Sequence, residues 1–423
     1  MKILVTTSTL PVSRTDEVPA FVKDQAMELK KKYPDLDIVI HAPHNTYSQT
    51  DKKIRRNEYY SEVRFHYFWP FRWELLTGRG ILPALRQNKL LYFQIPFLFF
   101  FQFVSLLFIV RKEKPDLIYA HWFTPQAINA AFVSKITKSP FVFTTHASDV
   151  SVLKRLPLSN KLVVWVCKRA SAYTAVSGRT AKKLTSFFEA KDWKKNYAGK
   201  LSIIPMGVST VNPETSLRDI NRVKEVFGLP DGKQYVLFLG RLSEKKGVRY
   251  LLDAFSKLPG SLTRDLHLII AGDGQLKKTL EQQAKRLDIK NITFTGYVHG
   301  VEKNALFTLS DFTCFPSIID DSGDSEGFPL VLMESLAAGK IVLASDATGG
   351  ETILIDGKSG FVFREKSIDA LTRAITRAIK LDPKAMTDMQ KESAKLADQF
   401  DWDKIVEKHY NLFKEAVYEN TTN

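Results

Sequence analysis

Two glutamates, Glu326 and Glu334, are separated by seven residues in the stretch EGFPLVLMESLAAGK at 326–340. The first stands just before an apolar helical run and the second lies inside it. Pro329 suits a first helical turn, where its missing N–H is no loss, and Gly339 suits the stop, so the stretch predicts a helix over about 328–338. The N-terminus of such a helix presents unpaired N–H groups and the positive end of a dipole, a ready site for phosphate. Glu326 is an anion at that same end, so its carboxylate faces other groups, such as sugar hydroxyls. Locally the stretch fits a second reading equally well, a surface helix with a capping acid and a solvated Glu334. Hydrolysis by this pair is disfavoured: eight residues of helical rise set the two about 12 Å apart along the axis, beyond the roughly 5–9.5 Å of a glycosidase pair.

Other groups of the right chemistry recur at the ends of strand-like runs. Within GRLSEKKG (240–247), Arg241 supplies a planar fork and Lys246 a mobile point charge, together suited to a diphosphate. Taken alone, the same loop reads as a solvated basic run. Gly272-Asp273-Gly274 is a permissive turn without the third glycine of a dinucleotide fingerprint. Asp320, Asp321 and Asp324 sit in a Ser/Gly/Asp loop without supporting ligands, so no metal site is expected. His146 ends a strand in TTHASD (144–149), and Asp149 can orient it or hold a substrate hydroxyl; a lone histidine at a strand end is more often structural. The segment RFHYFWPFRW (64–73) mixes bases with aromatics, which serves stacking on sugars or bases but also ordinary packing, and no helix-turn-helix or RNA-binding signature accompanies it.

The elements that must position these residues alternate regularly. Apolar runs at 2–7, 37–42, 116–121, 141–146, 172–177 and 201–205 are separated by helix-length stretches, the pattern of a parallel sheet covered by helices. Several end in polar residues, notably His121, His146 and Ser177, and in open α/β sheets ligands bind outside the carboxyl ends of strands. Over 208–233 the periodicity fades and Pro213, Pro230 and Gly232 appear, which predicts a linker. The pattern then restarts with strands at 235–240, 267–272, 291–296, 311–316 and 341–345 and helices at 248–258 and 276–287. The expected units are an N-terminal domain over 1–207, the linker, a C-terminal domain over 234–400, and a final helix within 401–423 that either finishes the second domain or crosses back to the first.

A chain of 423 residues with 44% hydrophobic content can build two such cores. Its 61 Lys and Arg against 46 Asp and Glu give a net charge of +15, which favours anionic partners. Two distant cysteines, Cys167 and Cys314, suggest neither a disulfide framework nor zinc. The opening MKILVTTSTL reads as a strand rather than a signal peptide, so a cytosolic location is expected. Residues 90–110 carry no charge over a length that can span a bilayer. Pro96 interrupts them, and Gln94, Gln102 and Ser105 gather on one helical face. These features disfavour a true span and leave a buried core helix, or a helix on a membrane surface with Arg111, Lys112 and Lys114 at the headgroups.

Taken in order, PAFVKDQAMEL (19–29), APH (42–44), AHWFTPQ (120–126), THASDV (145–150), AVSGRTAKKL (175–184), IIPMGV (203–208), GRLSEKKG, AGDG (271–274), FTGYV (294–298) and the Glu326/Glu334 pair resemble the family-4 retaining glycosyltransferases. The resemblance covers almost the whole chain and is nearest to bacterial enzymes that extend exopolysaccharide and other surface-polysaccharide units. It implies an α/β GT-B fold, two Rossmann-like doubly wound domains facing across a cleft. It also implies that Arg241 and Lys246 bind the donor diphosphate and neutralise charge as it leaves, with Gly240 beside them. Glu326 would orient donor-sugar hydroxyls, assisted by the backbone of Gly327, Phe328, Leu330 and Val331, and Glu334 would take the ribose hydroxyls. His146 would sit by the donor sugar from the opposite domain, with Asp149 shaping that wall.

The implied reaction retains anomeric configuration by same-face attack, and the leaving phosphate oxygen accepts the acceptor's proton. Electrostatic stabilisation of the departing diphosphate is its main need. No metal or cofactor is called for beyond the nucleotide-diphosphate sugar. The sequence departs from the family pattern in the loop after the first strand (8–18, no glycine), at Ala147, at Lys245 and at Gly349-Gly350-Glu351. The expected function is sugar transfer from a nucleotide sugar to a lipid-linked glycan in surface-polysaccharide synthesis, at the inner face of the cytoplasmic membrane with peripheral contact to anionic lipid and no nucleic-acid partner. A soluble transferase with a small acceptor, an epimerase on the same fold and a non-catalytic nucleotide-sugar-binding subunit are the alternatives.

Overall fold

The computed structural model describes residues 1–11, 20–45, 54–77, 80–146, 148–155, 157–208, 215–321, 326–349 and 353–422. The chain forms two compact units, Met1–Gly207 with Trp402–Asn423, and Val208–Asp401. Pro19, Ala147, Pro213, Asp324, Gly350, Glu351 and residues 12–18 of the first loop lie outside the described residues.

The first unit is an eight-stranded sheet in the order β3-β4-β2-β1-β5-β6-β7-β8. Its strands are β1 (Lys2–Thr6), β2 (Asp37–Pro43), β3 (Ile54–Arg56), β4 (Ser61–Phe65), β5 (Leu117–His121), β6 (Phe141–Thr145), β7 (Ala172–Ala175) and β8 (Leu201–Ile203). All pairs are parallel except β3 on β4. β5 and β6 are buried at every position, as expected of strands covered on both faces. Strands β3 and β4 were not expected. β4 carries Glu62 and Arg64, whose charges hide its strand character; the two form a buried ion pair, and Arg64 also donates to Pro43 O (3.0 Å) and Leu10 O (2.8 Å). Ser177, one of the polar strand ends, serves as a helix cap, its Oγ accepting the Thr180 N–H at 3.2 Å.

The final helix, Trp402–Thr422, belongs to this first unit. Tyr410 stacks on Tyr33 with centroids 3.7 Å apart, and Lys32 bridges Asp403 (2.8 Å) and Glu407 (3.0 Å). Gly207 has no room for a side chain, because a Cβ there would lie 2.2 Å from the Trp402 ring. The uncharged 90–110 stretch forms a helix over Ile95–Glu113 whose Leu106, Ile109 and Val110 enter the core beside Leu4, Val39 and Ile118. One side of this helix is therefore part of the sheet's covering layer, which is incompatible with a membrane span.

The second unit is six parallel strands in the order β11-β10-β9-β12-β13-β14. These are β9 (Gln234–Leu239), β10 (Leu266–Ala271), β11 (Ile292–Gly296), β12 (Phe312–Phe315), β13 (Ile341–Ser345) and β14 (Gly360–Phe363). Numbered within the unit this is 3-2-1-4-5-6, a doubly wound order with its switch point between β9 and β12. The expected linker over 208–233 is corrected. Val208 already bridges to Asp401, and a helix over Leu217–Phe227, capped by Ser216, buries Val223 against the cluster that holds Leu237, Ile269 and Phe307. Its apolar contacts Ile220, Val223 and Phe227 keep helical spacing despite the prolines and glycine around them.

Candidate active site

In the second unit the loops that follow β9, β10 and β12 converge at the switch point. Leu242 N–H donates to Asp273 O (2.9 Å) and Leu276 N–H to Leu242 O (3.1 Å), locking the first two loops together. Gly272 has φ +143°, and a Cβ on it would sit 1.9 Å from Gly240 O, so the AGDG glycines serve loop-to-loop packing. Gly247 does the same towards β12. Its φ is +64°, a Cβ would meet Pro316 O at 1.9 Å, and the Ile318 N–H donates to Lys245 O at 2.8 Å.

This packing brings Lys246 to Glu326, with Nζ 2.8 Å from Oε2. The pair is largely withdrawn from water, the side chains being 20% and 14% exposed. Burial pushes the Glu326 carboxyl up, but the charges of Lys246 and Lys245 outweigh it and hold the group below the usual carboxylate range. Glu326 is thus ionised at neutral pH. Lys245, a departure from the family pattern, adds positive charge where Glu326 needs it. Arg241 lies on the same loop as Lys246, next to Gly240.

The helix after Glu326 is shorter than expected, Leu330–Ala337, with Pro329 at its N-cap rather than in its first turn. Phe328 and Gly327 precede it. The Leu330 N–H donates to Phe328 O (3.1 Å) and the Leu332 N–H to Pro329 O (2.9 Å), so these two amides bond within the turn. Glu326 lies ahead of the helix, so helical rise does not set its distance to Glu334. Glu334 projects from the helix onto Lys303 of the Gly300–Leu309 helix, Oε1 to Nζ 2.6 Å, and its Oε2 is buried without a hydrogen-bond partner among the described residues. Each glutamate is therefore held by its own lysine. Lys303 was not singled out from the sequence, where nothing marks it among the many other lysines. No group of metal-ligating side chains occurs among the described residues. Asp320 is buried and Asp321 exposed.

In the first unit His146 follows β6 in an aromatic cage. Trp122 (centroids 5.0 Å), Phe21 (5.1 Å) and His121 (5.6 Å) surround it, and His121 Nδ1 lies 3.3 Å from His146 Nε2. Burial pushes His146 down to about 3, and burial with the neighbouring His146 and His409 pushes His121 well below its ordinary value. Both rings are neutral at physiological pH, which suits His146 to hydrogen bonding with a hydroxyl rather than to acid–base work. Trp122 has φ +74° and ψ 144°, a region almost reserved for glycine, and this strained backbone carries its indole against His146.

Asp149 is buried, and its carboxylate is spent on the chain itself. It accepts the Phe123 N–H (2.6 Å), the Thr145 hydroxyl (3.1 Å) and the His146 N–H (3.1 Å). It fixes the backbone of His146, and its geometry is that of a positioning residue. His121 and Trp122 are the neighbours that sequence reasoning gave no role, although His121 was visible as a polar strand end.

Comparison with known proteins fits this architecture. Residues 21–211 match the family described as Glycosyltransferase Family 4, and residues 219–396 match Glycosyl transferases group 1. A Bacillus subtilis (strain 168) glycosyltransferase named for teichuronic acid biosynthesis, TuaC, is 28% identical over 385 residues, 89% of each chain. A Mycobacterium leprae (strain TN) phosphatidyl-myo-inositol mannosyltransferase is 29% identical over 272 residues, 63% of this chain and 65% of the relative. Among solved structures, Anabaena HepE in complex with UDP superposes with a TM-score of 0.72 at 20% identity, over 98% of this chain and all of that one. Two doubly wound units, two adjoining family matches and a relative aligned over nearly its whole length make this chain a member of the family-4-type glycosyltransferases of GT-B fold.

Proposed function

We propose that this glycosyltransferase moves a sugar, with retention of anomeric configuration and without a metal ion, from a nucleotide-diphosphate sugar to a lipid-linked oligosaccharide in surface-polysaccharide synthesis. The observation that carries the donor half is the Lys246–Glu326 pair at the switch point, with Arg241 on the same loop. A cation held there with a carboxylate counter-ion suits a ligand that has both a diphosphate and sugar hydroxyls. The diphosphate takes Lys246 and Arg241, and Glu326 turns to the sugar hydroxyls. As the glycosidic bond to phosphate lengthens, negative charge grows on the diphosphate and the two cations stabilise it. Glu334 Oε2 is the acceptor for the ribose hydroxyls, and His146 is assigned the donor-sugar contact.

The names of relatives support the acceptor half: one is named for teichuronic acid synthesis and another acts, by name, on a phosphatidylinositol. UDP is bound in the HepE structure, so UDP-sugars are the first donors to test. The second reading, a small soluble acceptor, has support from a Bacillus anthracis relative named N-acetyl-alpha-D-glucosaminyl L-malate synthase, 23% identical over 315 residues. The test is transfer from radiolabelled nucleotide sugars to membrane-extracted lipid-linked glycans in the presence of EDTA, with the product anomer read by NMR. Chelator-insensitive transfer with retention supports the reading. Inversion, or strict metal dependence, overturns the mechanism, and transfer to small acceptors alone overturns the acceptor.

A further inference from the structure

The Ile95–Glu113 helix is turned the opposite way to an ordinary surface helix. Its polar residues point into the protein, where Gln94 donates to Trp73 O (2.7 Å), Gln102 accepts from Asn129 (2.8 Å) and Ser105 meets His41 Nε2 (3.0 Å). Its outer face is phenylalanine. Phe93, just before the helix, is 69% exposed, Phe100 60% and Phe108 67%, and Phe97, Phe101 and Val104 complete a single stripe at helical spacing. The stripe runs about 23 Å along the axis.

The Trp69–Trp73 loop extends this face. Phe68 packs edge-on against Phe93 (6.4 Å) and Phe97 (5.3 Å), and beside it Trp69 is 79% exposed, with Phe71 and Trp73 also open to solvent. Phe132 and Ile136, exposed on the neighbouring Ile128–Thr137 helix, widen it further. The RFHYFWPFRW segment thus divides: Arg64 and Tyr67 are structural, and its tryptophans join an apolar face much larger than the scattered apolar residues of an ordinary surface.

We propose that the first unit docks side-on on an anionic lipid bilayer, with the 93–108 stripe lying in the membrane plane and Trp69 and Trp73 at headgroup depth. Charge complementarity selects this occupant. Arg72, Lys89, Arg111, Lys112, Lys114, Lys135 and Lys138 are exposed on the same elements or at their ends, whereas Glu113 is occupied by Lys2 at 2.6 Å and Glu74 is buried beside His66. A second copy of the chain would bring two such basic rims together. An anionic headgroup layer neutralises the rim while the hydrocarbon boundary receives the phenylalanines, and tryptophan is the residue that favours the interface between them. The docking concerns this surface alone and holds whichever acceptor the enzyme uses.

Flotation of the full chain with phosphatidylcholine vesicles, with and without phosphatidylglycerol, tests it without donor or acceptor. The full chain floats with the anionic vesicles and the association falls with salt. Phe100→Ser with Phe108→Ser weakens partitioning by about tenfold or more. Arg111→Gln with Lys112→Gln weakens it by about fivefold per charge. Brominated lipid quenches Trp69 and Trp73, a readout that needs no variant. A wild-type protein that stays unbound overturns the proposal, as does a phenylalanine variant that floats equally well, or flotation without tryptophan quenching. A concentration-dependent dimer that the phenylalanine substitutions dissociate, with no vesicle binding, assigns the face to a second copy and also overturns it. Transfer to a water-soluble acceptor analogue, measured separately, reports on the catalytic reading.

Discussion

Replacing Lys246 with Met and Glu326 with Gln, singly and together, measures how strongly the switch-point pair is coupled. At 2.8 Å the direct Coulomb energy is about 6 kcal/mol at an effective dielectric near 20, and desolvation of two mostly buried ions removes most of it. Exposed pairs couple by about 0.2–1 kcal/mol, and breaking fully buried ones costs about 3–5 kcal/mol, so a coupling near 2 kcal/mol is expected here. The single changes are unequal. Lys246→Met leaves Glu326 in a buried setting with Lys245 as the remaining cation and costs about 3 kcal/mol. Glu326→Gln leaves a lysine that can turn to water and costs about 1–2 kcal/mol.

The pH dependence gives a second, independent reading of the same pair. In the wild type the folded pKa of Glu326 is lowered, so its contribution is present above the unfolded value of about 4.5 and is lost as pH falls through the folded value. Without Lys246, burial becomes the dominant influence and the folded pKa rises. The stability gap between wild type and Lys246→Met is then widest at neutral pH and narrows on acidification. The six tryptophans, at 69, 73, 122, 165, 193 and 402, all lie in the first unit, so their emission is silent on this change. Hydrogen exchange at the β9 amides under urea reads the second unit instead. A coupling below about 0.5 kcal/mol, or a stability gap that does not change with pH, refutes the reasoning.

Other consequences concern single contacts. Lys303→Met frees Glu334 to move and weakens nucleoside diphosphate binding by about 1 kcal/mol or roughly fivefold, while leaving inorganic pyrophosphate binding unchanged; calorimetry with both ligands separates the two. Gly247→Ala forces a side chain onto Pro316 O in a left-handed conformation and destabilises the second unit by about 2–4 kcal/mol, visible in the same exchange experiment. His409 is buried against Tyr119 and Phe413, and burial pushes it down to about 4. Its unfolded form takes up a proton first as pH drops below about 6.5, so it contributes a loss of stability from there down to the folded value. His409→Leu flattens that slope by about 1.4 kcal/mol per pH unit, measurable by urea unfolding followed through tryptophan emission.

The sequence made the parallel sheets legible because strands buried on both faces are written as continuous apolar runs. Strands that break this rule were missed. β4 keeps an ion pair inside, β3 is a three-residue antiparallel edge, and β14 is only four residues long and opens with glycine. The Leu217–Phe227 helix was hidden by the prolines and glycine around it, since it buries little beyond Val223. Glu326, Glu334, Arg241, Lys246 and His146 stood out by residue type and by their strand-end context. What joins them did not, because the Lys246–Glu326 and Lys303–Glu334 contacts connect separate loops and helices, and a chain read in order carries no signal for such pairings. The direction in which the Ile95–Glu113 helix faces was also beyond the pattern: both of its sides are apolar enough to be buried, and the burial of Leu106, Ile109 and Val110 with the partners of Gln94, Gln102 and Ser105 shows which side the protein covers.

The central claim is that the switch-point residues of the second unit grip a nucleotide-diphosphate sugar without a metal. Titration calorimetry of the full chain with UDP, GDP and ADP in EDTA tests it most directly. The account predicts micromolar binding of at least one nucleotide, weakened about tenfold or more by Lys246→Met and by Glu334→Gln. Binding that appears only with added divalent metal, or that both variants retain at wild-type strength, contradicts it.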